Sequence, residues 1–232
     1  MLIFEDFTLI SARAECPACS ANFVTAVVSG NSKVTTKTRI ETDLHRVHTS
    51  SAFRAAGIGM CPDCNYCWWL KSFGLKTFFS PQEQELQQPL LSTTAQDLQR
   101  FNQAFRCGKQ QNANHLALAL IAINAQWCAQ DGGLAGQQWL ETAGQELSKA
   151  LRNPTSRIDR GFYHYLLGEL CRRQSDFQGA LDNFDKARSG ARLPSELIVR
   201  QKVQARSGDA SATLLPVYLI EELFCPANLQ PV

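Results

Sequence analysis

Cys16-Pro17-Ala18-Cys19 and Cys61-Pro62-Asp63-Cys64 decide how this chain reads, because two such hooks can close a tetrahedral shell of four thiolates around one metal ion. A Cys-x-x-Cys turn presents two sulfurs from one tight loop, and the proline inside each hook fixes a backbone angle that favours the turn. The residue after each hook, Ser20 and Asn65, falls where a left-handed backbone helps, a geometry Asn adopts more readily than Ser. Cys16, Cys19, Cys61 and Cys64 are therefore the expected ligands of one structural zinc ion in a zinc ribbon. With all four ligands supplied by the protein, no position stays open for a water, which disfavours a catalytic metal. Hooks without metal and thiol redox pairs are the competing readings, and iron accepts the same four sulfurs.

The 41 residues between Cys19 and Cys61 leave room for an inserted β-hairpin. Residues 22–28 and 33–42 are rich in Val, Thr and Ile around Ser29-Gly30-Asn31, which reads as two strands and a turn. Cys67 reads as packed in a strand, and His45 and His48 as members of an exposed polar loop or as substitute ligands. Cys107, Cys128, Cys171 and Cys225 lie in helical or apolar contexts, where a free cysteine behaves as a small hydrophobe.

Residues 80–92 carry two prolines and four glutamines and read as a boundary between a ribbon domain, 1–80, and a helical domain, 93–232. Beyond it, apolar spacing near 3.6 predicts helices over 94–107, 112–129, 136–151, 159–174, 177–190 and 195–207. Short connections predict antiparallel neighbours. Leu167-Gly168 followed by Ala180, Phe184 and Ala187 has the spacing of a tetratricopeptide (TPR) unit, with Gly168 allowing close helix approach and Phe184 filling the groove. Ala143, Leu147 and Ala150 echo that spacing upstream, and residues 214–220 read as an apolar cap. A generic helical bundle is the plainer alternative. The expected fold is thus mainly α, α+β overall: a small N-terminal zinc ribbon with a hairpin, then TPR-like antiparallel repeats.

A net charge of +2 over 232 residues does not by itself argue for nucleic acid, although the basic excess lies in the first 80 residues. Phosphate-binding loops, His-Glu-x-x-His helices and nucleophile elbows are missing from the sequence, so no enzyme is expected. The longest apolar run, residues 116–123, is far short of the ~20 residues that cross a bilayer, and Glu5 and Asp6 spoil an export signal. The nine cysteines then point to a reducing cytoplasm. Arg157, Arg160 and His164, near one predicted helix, suit a ligand-facing TPR surface. Trp68 and Trp69 could either stack on single-stranded bases or form an internal core. The expected function is a non-catalytic adaptor that holds a protein or peptide through its helices. The alternative is a nucleic-acid-associated regulator acting through the ribbon.

The two Cys-Pro-x-Cys hooks, the stretch Arg39-Ile40-Glu41-Thr42-Asp43, Tyr66 after the second hook and the helices behind them resemble a bacterial family known as domain of unknown function 2225. Members usually have glycine where this chain has Ser20 and Asn65. The resemblance implies a cytoplasmic bacterial protein with a zinc ribbon and TPR-like helices, Cys16, Cys19, Cys61 and Cys64 matching the presumed metal ligands; it implies no activity.

Overall fold

Both hooks serve as the turns of β-hairpins, and this organises the β part of the molecule. A computed structural model describes residues 7–30, 39–48, 50–79, 92–152, 160–187 and 193–223. Strand β1 (Phe7–Glu15) pairs antiparallel with β2 (Asn22–Gly30), the register closing at Glu15 opposite Asn22 with the first hook between them. Strand β3 (Ile58–Met60) pairs with β4 (Cys67–Trp69), closing at Met60 opposite Cys67 around the second hook. Strand β5 (Gly74–Phe78) joins the other side of β1, giving a sheet of order β2-β1-β5.

The second strand of the hairpin expected between the hooks falls largely on residues 33–38, outside the described residues. Among the described residues β2 pairs with β1, upstream of the first hook, while Ile40 bridges Arg46 and Glu41 bridges Leu214. The reason is loop closure: a four-residue knuckle brings its two flanks together at less entropic cost than any partner further along the chain. Lys33 and Lys37 of the expected second strand lie outside the described residues, as do residues 80–91 of the expected boundary.

The helices match their apolar periodicity closely. After the short α1 (Ser51–Ala55) come α2 (Thr94–Gln110), α3 (His115–Asp131), α4 (Gln137–Arg152), α5 (Arg160–Arg173), α6 (Phe177–Ala187), α7 (Ser195–Arg206) and α8 (Val217–Leu223). Their starts are set by side chains that satisfy free backbone N–H groups. Thr93 and Gln96 form a capping box on α2, Asn114 Oδ1 accepts from the Ala117 N–H at 2.8 Å, and Asp176 Oδ1 accepts from the Gly179 N–H at 3.0 Å. Helices over a small antiparallel sheet make the fold α+β.

The chain forms two compact units. The first takes residues 1–33, 48–113 and 120–136; in it α2 packs on α1, β3 and β4. The buried Asp97 carboxylate accepts from the hydroxyls of Ser51, at 2.7 Å, and Ser92. The Arg54 guanidinium pairs with Asp131 at 3.2 Å and lies over the Trp127 ring.

The second unit takes residues 34–47, 114–119 and 137–232. Its core joins Tyr165, Ala180, Phe184 and Ala187 to Leu197, Ile198, Leu215 and Ile220, so the apolar stretch after residue 213 contributes to this core. Gly168 is required where it stands, since a Cβ there would lie 2.6 Å from the Phe184 ring. The pair α5–α6 owes its close approach to this missing side chain. Ala143, Leu147 and Ala150 are likewise buried on α4.

Residues 39–47 are fastened to α5 by a buried polar network. Arg172, fully buried, pairs with Glu169 through two guanidinium nitrogens at 2.9 and 3.1 Å and donates to the Asp209 and Ser211 carbonyls at 2.6 and 2.8 Å. The Tyr165 hydroxyl donates to the Thr42 carbonyl, and Arg173 pairs with Asp43. Burial pushes the Glu169 carboxyl up despite Arg172 beside it, and pushes the Tyr165 hydroxyl well up. His45, expected on an exposed loop, is only 2% exposed: its Nδ1 lies 3.1 Å from Glu41 Oε2. His48 stacks on Phe53 in the first unit. No helix among the described residues is long and apolar enough to cross a membrane.

Candidate metal centre

The two knuckles repeat one local geometry. In the first, the Cys16 N–H donates to the Ala21 carbonyl at 2.9 Å and the Ser20 N–H to the Cys16 carbonyl at 2.9 Å. In the second, Cys61 N–H donates to Tyr66 at 2.9 Å and Asn65 N–H to Cys61 at 3.1 Å. Each turn is completed by a left-handed residue, Ser20 at φ 62° and Asn65 at φ 56°, where the sequence analysis expects one.

These turns bring four sulfurs together. Cys16 Sγ lies 3.6 Å from Cys64 Sγ, Cys19 Sγ lies 3.6 Å from Cys61 Sγ, and all four fall within 4.8 Å of one another. A tetrahedron with metal–sulfur bonds of about 2.3 Å has edges of about 3.8 Å, so the cluster fits a zinc-sized thiophilic ion. In each hook the first cysteine is buried and the second exposed. Ala14, Phe23, Tyr66, Trp68 and Phe73 pack with Cys16 and Cys61 into an apolar collar on the inner side. The Phe73 ring meets Phe23 edge-on at 5.7 Å and Tyr66 at 5.5 Å.

Without a cation the four thiols restrain one another. Burial raises the Cys61 thiol, but the N–H groups of Cys64 and Asp63 and the thiols of Cys19 and Cys64 bring it down to about 7. Cys19 goes the other way: the Ala21 N–H favours its thiolate, yet the neighbouring thiols of Cys64, Cys61 and Cys16 together with lost solvent push it up to about 12. One member ionises readily and another resists, as expected where negative charge would accumulate on touching sulfurs. A divalent ion held by Cys16, Cys19, Cys61 and Cys64 would remove that conflict, and the chemistry it would supply there is structural closure of the two hairpins.

Helix α2 supports the second knuckle from outside. Gln103 Nε2 donates to the Asn65 carbonyl at 3.1 Å, and the Cys107 thiol points at the same carbonyl at 3.8 Å. Spacing within the sequence gives no hint of this contact. Cys67 sits in β4, as its strand context predicts, with its thiol on the Arg100 carbonyl at 3.3 Å. Burial pushes the Cys67 and Cys128 thiols up to about 12 and Cys171 up to about 11, so all three stay protonated. Cys225 lies outside the described residues.

The expected partner-binding residues fall on different units. Trp68 and Trp69 are half-buried on β4 in the first unit, with Trp68 packed on the cysteine collar. Arg160 and His164 stand one turn apart on α5 in the second unit. Arg160 donates to the Leu151 carbonyl at 3.3 Å, and His164 Nδ1 lies 3.0 Å from Asn183 Oδ1. Arg157 lies outside the described residues.

A family model described as "Uncharacterized protein conserved in bacteria (DUF2225)" matches residues 9–207, a span holding both hooks and the helices through α7. The chain belongs to this family. No curated protein and no solved structure matches the chain. In this DUF2225 member the left-handed positions after the hooks are held by Ser20 and Asn65, both without the freedom of glycine.

Proposed function

We propose that the chain is a zinc-binding, non-catalytic adaptor of the bacterial cytoplasm, in which a zinc ribbon fixes the β-hairpins and TPR-like helices hold a protein partner. The observation that carries the reading is the closed four-sulfur cluster, since four protein thiolates fill a tetrahedral shell and leave no site for substrate. Cys16, Cys19, Cys61 and Cys64 would hold the ion. The Gly168–Phe184 contact supports the TPR-like part, because close helix pairing of this kind lets successive pairs stack and leaves one helix of each facing a common groove. Arg160 and His164 on α5 give that groove a basic, hydrogen-bonding edge suited to a peptide carboxylate. Trp68 has part of its ring committed to the cysteine collar, which favours the protein-binding reading over base stacking.

The test has two parts on the full chain. Elemental analysis should find one zinc per chain, lost in Cys61→Ser. Crosslinking in the native cell should yield a stoichiometric protein adduct that weakens in Arg160→Glu/His164→Glu and survives nuclease. Adducts of nucleic acid in place of protein, or a chain purified metal-free with its fold intact, would overturn the reading.

A further inference from the structure

The outer face of α7 carries apolar surface that folding does not use. Val199 is 59% and Val203 57% exposed, one turn apart on the same face. Valine is a poorer helix former than alanine, and an exposed site offers no packing to offset that. Exposed Glu196 and Arg206 lie at the two ends of this stripe.

The order Glu196, Val199, Val203, Arg206 is nearly its own complement when reversed. We propose that this face of α7 binds a second copy of the chain, two α7 helices packing antiparallel about a two-fold axis at the level of Gln201. That axis sets Val199 against Val203 of the partner and places Glu196 level with the partner's Arg206, twice over. The same patch faces itself, as closed two-fold symmetry demands. Glu196 accepts from the Tyr218 hydroxyl through Oε1, which leaves Oε2 for the incoming guanidinium. A single 12-residue helix is about 18 Å long, too short for a standard-sized interface, so the dimer is weak, with Kd on the order of 10–100 µM.

Sedimentation velocity of the full chain from about 1 to 200 µM should show reversible monomer–dimer exchange in that range. Glu196→Arg or Arg206→Glu alone should weaken association at least about tenfold, and the two together should restore it to within about threefold of the native value. Val203→Asp should leave a monomer. Circular dichroism checks that each variant is folded, and the charge swap alters exposed residues only, so it keeps the test valid should Val203→Asp unfold. A native chain that stays monomeric, single swaps without effect, a double swap without rescue, or assembly that survives every substitution would each overturn the proposal.

Discussion

Ser20 and Gly168 show how much of this fold hangs on single positions, one through its backbone angle and the other through the side chain it lacks. Ser20 holds φ at 62°, a conformation that costs a side-chain-bearing residue roughly 1 kcal/mol, more for Ser than for the Asn65 counterpart. Ser20→Gly should therefore raise the thermal midpoint of the zinc-loaded protein by a few degrees, and Asn65→Gly should change it less. A β-branched residue such as Ser20→Val should loosen metal binding, read with a chromogenic zinc chelator. Gly168 fails in the opposite sense. The Cβ of Gly168→Ala would meet the Phe184 ring at 2.6 Å, and overpacking of this kind costs about 1–3 kcal/mol. Calorimetry should show a lower midpoint, and adding Phe184→Leu should cost less than the sum of the single changes, because the smaller side chain gives the new methyl room.

At the scale of elements, the helices were legible in the sequence and the sheet only in part, since residues 22–28 and Cys67 read as strand but the partner of β2 did not. Helices α2 to α7 begin and end within a few residues of the limits that apolar spacing predicts, since each buries a stripe of period 3.6 and is bounded by Gly, Pro or a capping side chain. Strand β1 escaped because Ser11, Ala12, Arg13 and Ala14 carry little β-preference and its turn is the hook itself, which reads as a metal motif first. The meeting of the four cysteines was readable from spacing alone, yet the Gln103 contact to the second hook and the burial of His45 depend on contacts between distant segments. The clearest case is Arg172, whose bond to Thr42 spans 130 residues. Removing one partner of a buried ion pair strands the other, so Arg172→Ala should destabilise by about 3–5 kcal/mol in urea unfolding. Replacing both, Glu169→Leu with Arg172→Met, should recover much of that loss, although the carbonyls of Asp209 and Ser211 would still lack their donor.

For the whole molecule, the important fact is where the chain goes between its hooks. It leaves the first unit, contributes residues 34–47 to the second, where Thr42 and Asp43 meet α5, and returns in time for Cys61. A metal bound to both hooks closes a ring of 41 intervening residues, and by chain-entropy reasoning such a closure is worth about 4 kcal/mol, comparable to a disulfide. Chelation should accordingly lower the unfolding temperature reported by tryptophans of the first unit and also expose amides of residues 39–47 to hydrogen exchange. If those amides kept their protection after the metal was stripped, the two effects would be independent.

The same route makes the metal a removable clasp. A single protease cut between the hooks would yield an N-terminal piece and a C-terminal piece that still migrate together, because each keeps two of the four sulfurs on the shared ion. Adding a chelator would then release much of that hold, leaving the pairing of β1 with β5 and the packing of Ala14 and Phe23 on Phe73 to keep the pieces together. A nicked copy should thus hold together or come apart according to whether the four sulfurs share an ion.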